Sequence, residues 1–297
     1  LHDRYGYRTL NCFTQDMEDP AEHSNRASKE EVVLQDVLKA AAVKLNTTIP
    51  EPVIDQALER LTSRRYAMSP LLANKEAYGL IRDGIPVQYE DARGKTLQGR
   101  VRVIDFSRPG ENDFCAVTQL WIKGDHYPRR PDILVYVNGL PLVFVELKNS
   151  NVQVKNAYDD NLTNYKKDIP LLFQYNAFCV LSNALETRVG SFTAGYEFFF
   201  NWLRPEDETE KIDRRAIEQS GTTLERLLHG LFPKERILDY IENFILFHME
   251  SSKIVAQNHQ FLGVNKAIAS FEGREGEGGK LGVFWHTQGS GKSFSMI

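Results

Sequence analysis

The sequence predicts an α/β fold: a mixed sheet flanked by helices over residues 1–240, and the opening of a second α/β unit over residues 241–297. Three observations predict it. Runs rich in β-branched and aromatic residues crowd the middle of the chain, helical periodicity precedes and follows them, and a last apolar run enters a glycine loop just before the sequence ends.

The elements follow in order. Residues 1–28 are polar and irregular, and "NCFTQDMEDPAEHSNRAS" reads as a loop. A helix is expected over 29–45, with Ser28 and Glu31 in a capping-box pattern, then helices over 51–62 and 69–83, the last ending near Gly84. Strands are expected at 101–106 (VRVIDF), 114–124 (FCAVTQLWIKG), 132–137 (DILVYV) and 142–148 (LVFVELK). A helix over 151–167 precedes strands at 177–183 and 187–192. From Thr222 the pattern is helical again and includes an amphipathic "KERILDYIENFILFHM" at 234–249, read as a link between the two units. "SFEGREGEGGKL" is a glycine-rich loop, and "LGVFW" is a strand leading to the terminal glycine loop. No internal repeat is visible.

Composition narrows the class. With 42% hydrophobic and 26% charged residues the 297-residue chain is ordinary for a globular protein. No apolar run approaches the ~18 residues that span a bilayer, and no signal peptide is evident, so a cytoplasmic location is expected. Three scattered cysteines, Cys12, Cys115 and Cys179, argue against a disulfide framework or a zinc site. The net charge of −4 means that any DNA contact would be a local patch. Leu1 in place of a starting methionine, and a helix that stops at Ile297 as it begins, read as an excerpt of a longer protein.

The stretch "PDILVYVNGLPLVFVELKNS" sets Asp132, Glu146 and Lys148 among valines and leucines. Buried carboxylates need partners, and a divalent cation is one. A strict two-residue turn at Asn138-Gly139 would pair Val137 with Leu140 and put Asp132 and Glu146 on opposite faces. A three-residue connection, with Gly139 left-handed and a bulge, would put the even-numbered residues on one face, as would a bulge elsewhere in the strands. Convergence of Asp132, Glu146 and Lys148 would form a phosphodiester hydrolysis site, with Mg²⁺ on the carboxylates and Lys148 orienting hydroxide or offsetting charge on phosphate. The pattern is short and common, and a solvated sheet edge with Asp132 as a turn cap is the alternative.

"HTQGSGKS" carries the Gly-Lys-Ser end of a phosphate-binding loop between a strand and a helix start, the context that its chemistry demands. Backbone N–H groups from Gln288 to Lys292 would cradle phosphates at a helix N-terminus, Lys292 would reach the β- and γ-phosphates of ATP, and Ser293 would ligate Mg²⁺. His286 departs from the general pattern, which has glycine there.

These residues together carry a resemblance. "GENDFCAVTQLWI", "RRPDILVYVNGLPLVFVELKNS", "YKKDIP" and "FWHTQGSGKSFSM" resemble the restriction (R) subunit of type I restriction–modification enzymes, from about residue 76 to the end. The resemblance implies a nuclease domain of the PD-(D/E)xK class followed by the first RecA-like domain of a superfamily 2 motor. It implies Asp132 and Glu146 as metal ligands and Lys148 as the catalytic lysine. Gly289, Ser290, Gly291, Lys292 and Ser293 would hold ATP and its Mg²⁺, and Gln260, with Gln257 as the alternative, would read adenine. The family's Gln-x-x-x-Tyr motif, which contacts DNA or supports the site, matches "NLTNY", where Asn161 replaces glutamine and Tyr165 is retained; an ordinary helix aromatic is the alternative for Tyr165. A further carboxylate of the family's early helix is not assignable. The implied activity is that of a type I site-specific deoxyribonuclease, in which ATP-driven translocation of double-stranded DNA is coupled to cleavage. The implied partners are separate methylation and specificity subunits. A recombination or defence helicase–nuclease of another assembly, and a nuclease-dead DNA-binding scaffold, are the rivals. Arg129 and Arg130 are candidates for DNA phosphate contacts, with surface salt bridges as the alternative. "YEFFFNW" reads as core or a domain contact.

Overall fold

A computed structural model describes residues 1–19, 22–90, 93–249, 251–276, 278–279, 281–283 and 291–296. Among them a mixed seven-stranded sheet is the centre of the molecule. Its strands are β1 (Arg8–Asn11), β4 (Phe114–Thr118), β5 (Ile133–Val137), β6 (Leu140–Leu147), β7 (Phe178–Ser182), β8 (Thr187–Gly190) and β9 (Phe200–Asn201), in that spatial order. β1 runs parallel to β4 and β6 parallel to β7, and the other neighbours are antiparallel. Two further pairs stand apart, β2 (Ile85–Glu90) with β3 (Thr96–Val101) and β10 (Ile245–His248) with β11 (Ser252–Val255).

The central strands read as continuous apolar runs because both of their faces are covered. β2 and β3 instead alternate between covered and open positions, as a hairpin with one wet face does. The parallel β6–β7 step needs a crossover, and residues 148–177 supply it. That crossover opens with turns, becomes helical at Lys155, passes through a π-helical stretch (Ala157–Leu162) and continues as an α-helix at Thr163–Asp168, so the helix expected over 151–167 forms with a later start and a π-helical interruption.

The helices expected at 51–62 and 69–83 are present as Glu51–Thr62 and Pro70–Asp83, the second capped by Ser69 Oγ on the Leu72 N–H and closed by Gly84. The stretch read as irregular holds a short helix, His2–Tyr5, and the edge strand β1, and the helix expected over 29–45 begins only at Gln35. Glu31 accepts from the Ala27 N–H and Ser28 Oγ from the Glu30 N–H, which folds a turn in place of a capping box. Val32, Val33 and Leu34 then lie buried, with the Val32 carbonyl accepting from Tyr136 and the Leu34 N–H donating to Gly139.

Three strand expectations also change. The run at 101–106 ends β3 at Val101, and its partner β2 was not foreseen. The run at 114–124 stops at Thr118 because Gln119 takes a left-handed backbone, φ 55°. Leu281–Val283 are not strand, and Phe284 and Trp285 lie outside the described residues.

The helix expected over 234–249 ends at Asn243, and Ile245–His248 become β10. β11 then carries Lys253 inward until the residue is only 2% exposed. Its Nζ donates to Asn74 Oδ1 at 3.0 Å and to the Asn176 carbonyl, inside a cage of the Tyr78, Phe192 and Phe247 rings. Burial pushes the Lys253 ammonium down to about 7. The three cysteines are buried free thiols, and among the described residues no helix is long and apolar enough to cross a membrane.

Candidate active site

The hairpin turn is the strict two-residue kind. Val137 pairs with Leu140, and Asn138 (φ 49°) and Gly139 (φ 80°) both have the left-handed backbone that such a turn requires. Asn138 is pinned, its Nδ2 donating to the Val103 carbonyl at 2.8 Å and its Oδ1 accepting from the Asp113 N–H at 2.7 Å. Gly139 is obligatory, since a Cβ there would lie 2.5 Å from the Leu34 carbonyl oxygen. The three-residue connection expected from the sequence is therefore not what forms.

The register is corrected further along. Tyr136 pairs with Pro141, but Val135 pairs with Val143, so Leu142 is an extra residue bulged out of β6. Beyond the bulge Ile133 faces Val145, and one step further Asp132 faces Glu146 on a common face of the sheet.

The two carboxylates sit in different surroundings. Asp132 is held from two sides, with Oδ1 accepting from Gln119 Nε2 at 2.8 Å and Oδ2 accepting from the Leu147 N–H at 2.8 Å. Glu146 is 2% exposed, and its Oε2 has no hydrogen-bond partner among the described residues. Its Oε1 lies 3.5 Å from Lys148 Nζ. Burial, followed by the charge of Asp132, pushes the Glu146 carboxyl up to about 8, against the pull of Lys148. A cation between the carboxylates would relieve both penalties, and the donor set of hard oxygens beside an unsatisfied one fits Mg²⁺. Among the described residues no group of three or more His, Cys, Asp or Glu forms a metal cluster, so the pair stands alone with Lys148.

Tyr165 closes the site from the crossover. Its ring packs edge-on against Phe144, and its hydroxyl donates to the Arg130 carbonyl at 3.3 Å. Burial and then the Glu146 charge push the Tyr165 phenol up to about 12, and the Asn161 side chain opposes that shift. Asn161 lies in the π-helical stretch. Arg129 is paired with Asp168, Nε to Oδ2 at 2.7 Å, and lies over the Tyr165 ring. Arg130 is sandwiched between Phe13 and Trp121 and donates to the Thr14 carbonyl at 2.8 Å.

Gln119 was missed in the sequence, where it is a polar residue inside an apolar run. A left-handed non-glycine backbone is sparsely populated and costs on the order of 1–3 kcal/mol.

At the other end of the chain, Gln260 is buried near the start of the helix Asn258–Glu272. Its Oε1 accepts from the Gln257 N–H at 2.8 Å and its Nε2 donates to the Gly291 carbonyl at 3.1 Å, so it touches the glycine loop. Gly291 has φ 76° and Ser293 is exposed. Gly289, Ser290 and the Lys292 side chain lie outside the described residues, as does His286.

Comparison with known proteins adds an independent line. A family model described as "Type I restriction enzyme R protein N terminus" matches residues 1–198, and one described as "SWI2/SNF2 ATPase" matches residues 259–297. The type I restriction enzyme HindI endonuclease subunit of Haemophilus influenzae is 38% identical over 276 residues, 90% of this chain and 26% of the relative. The type I restriction enzyme SauMSSORF170P endonuclease subunit of Staphylococcus aureus is 25% identical over 250 residues, 83% of this chain and 24% of the relative. The chain thus spans about a quarter of the length of these curated relatives.

Proposed function

We propose, from the premise that this chain belongs to the type I restriction enzyme R protein family, that its bulged hairpin is a PD-(D/E)xK-class nuclease site hydrolysing phosphodiester bonds of double-stranded DNA. The observation that carries the reading is the buried, unpartnered Glu146 Oε2 facing Asp132, with Lys148 beside it. Asp132 and Glu146 would hold Mg²⁺, which when bound polarises a phosphodiester and lowers the pKa of its water. Asp132, already oriented by the Gln119 amide and the Leu147 N–H, offers charge without having to reorganise. Lys148 stands where it can orient hydroxide or offset charge on the phosphate. Tyr165 shapes the wall of the site, and Asn161 supports the tyrosine from the π-helical stretch. A DNA phosphate would draw on Arg129 or Arg130 only at the expense of the Asp168 pair or the Phe13–Trp121 sandwich.

The segment from residue 241 would begin a RecA-like superfamily 2 motor that translocates DNA with ATP, consistent with the ATPase-type match. Gln260 would read adenine after exchanging its Gly291 contact for the base. Gly289, Ser290, Gly291 and Lys292 would hold the phosphates, and Ser293 the Mg²⁺ of ATP. The working assembly would include methylation and specificity subunits in the cytoplasm. A nuclease-dead scaffold fits less well, because an acidic pair offers a DNA phosphate no favourable contact unless a cation lies between the two.

The test uses the full-length subunit assembled with its methylation and specificity partners, scored for plasmid cleavage and ATP turnover together. Lys148→Ala is expected to lower cleavage at least about 100-fold with ATP turnover retained. Cleavage at the wild-type rate by Lys148→Ala would sink the nuclease assignment.

A further inference from the structure

We infer that Gln119 is the positioning residue of the metal site: a neutral clamp that fixes the ligand orientation of Asp132. The inference rests on the metal-site reading above and adds to it a residue outside the Asp–Glu–Lys pattern. Two independent observations meet at this position.

The first is the hydrogen bonding. Gln119 Nε2 donates to Asp132 Oδ1 at 2.8 Å, and the Gln119 backbone N–H donates to the Asp132 carbonyl at 3.0 Å. One residue therefore grips both the side chain and the main chain of Asp132. With the Leu147 N–H on Oδ2, rotation about the terminal bond of Asp132 is arrested. All the donors are neutral. An ammonium or guanidinium in this place would neutralise the carboxylate and compete with a cation, whereas an amide orients the group and leaves its charge available.

The second observation is the backbone. Gln119 has φ 55°, which a long unbranched side chain rarely adopts. This conformation ends β4 and swings the chain into the 120–131 loop, where Ile122 and Arg129 form an isolated antiparallel bridge. Strain of this kind persists where the surroundings over-determine it, and functional sites are where it collects. Glycine would relieve the backbone strain at residue 119. Glycine, however, has no amide to offer Asp132.

These two properties separate the role from simple scaffolding. Gln119→Gly relaxes the backbone and removes the clamp. Gln119→Asn keeps an amide and tolerates the left-handed region, but is one methylene too short. Both are made in the full-length subunit, without nucleotide, beside wild type and Asp132→Asn. Mn²⁺ is the probe, its bound fraction read by electron paramagnetic resonance, and thermal unfolding is followed in parallel. The expected result is that Gln119→Gly melts close to wild type, relief of backbone strain offsetting the lost hydrogen bond, yet both Gln119 variants bind Mn²⁺ about 10–100-fold more weakly, the usual effect of losing a hydrogen bond to a metal ligand. Wild-type Mn²⁺ affinity in both variants, with loss in Asp132→Asn, would overturn the role of Gln119 and leave the metal site standing. Wild-type affinity in Asp132→Asn would overturn the metal site and this inference with it.

Discussion

Glu146 and Lys253 are both buried side chains drawn far from their ordinary ionisation, one upward and one downward. They differ in how their polar atoms are met. The amine of Lys253 reaches two oxygen acceptors within a ring of aromatic faces. Glu146 keeps one oxygen unmet beside a second carboxylate. A perturbed ionisation is thus shared by a pocket whose amine is hydrogen-bonded and one that keeps a carboxylate oxygen unmet among the described residues. Hydrogen-bond satisfaction tells them apart.

The largest expected effect breaks the pair into opposite phenotypes. Glu146→Gln is expected to lower cleavage at least about 100-fold while its metal-free thermal stability stays at or above that of wild type. A variant that cleaved normally would return Glu146 to the structural class. Lys253→Met is expected to cost about 1–3 kcal/mol, since Asn74 Oδ1 and the Asn176 carbonyl lose their donor. Cleavage per folded molecule should be unchanged; urea unfolding and specific activity check the two halves.

A further contrast lies in pH. Glu146 has a folded value raised to about 8, so its contribution is fully present below the unfolded value of 4.5 and is lost as pH rises through 8. Lys253 has a folded value lowered to about 7, so the unfolded chain binds the extra proton between 7 and 10.5 and stability rises with pH across that window. In chelator, the unfolding free energy of wild type minus Glu146→Gln should fall between pH 4.5 and 8. The difference from Lys253→Met should rise between pH 7 and 10.5. Each slope is at most about 1.4 kcal/mol per pH unit, and two flat differences would remove the electrostatic half of the contrast.

Sequence alone made the carboxylate pair visible and left the lysine unseen. Asp132 and Glu146 stand out because charge is conspicuous among valines and leucines, and Asn138-Gly139 announces its turn through two left-handed residues. Leu142 announces nothing, because an apolar bulge among apolar neighbours leaves no mark on composition. Lys253 sits in "SSKIV", which looks like ordinary surface alternation, and its partners come from residues 74 and 176, far away in the chain. The expected helix runs on to 249, past its end at Asn243, because "FILFH" continues an apolar pattern that strand and helix share, with no glycine or proline to mark the change. Gln119 was hidden for a related reason: its significance lies in a torsion angle.

The Leu142 bulge makes the shared face of Asp132 and Glu146 a matter of parity. Thirteen residues separate Asp132 from Glu146, and with a two-residue turn the bulge is what turns that odd spacing into a facing pair. Losing or gaining one residue anywhere in the stretch would send one carboxylate through to the far side of the sheet while both letters survived in the sequence. Length changes in this hairpin can therefore pass only in compensating pairs, and a relative with an altered spacing is to be judged by whether the difference is even.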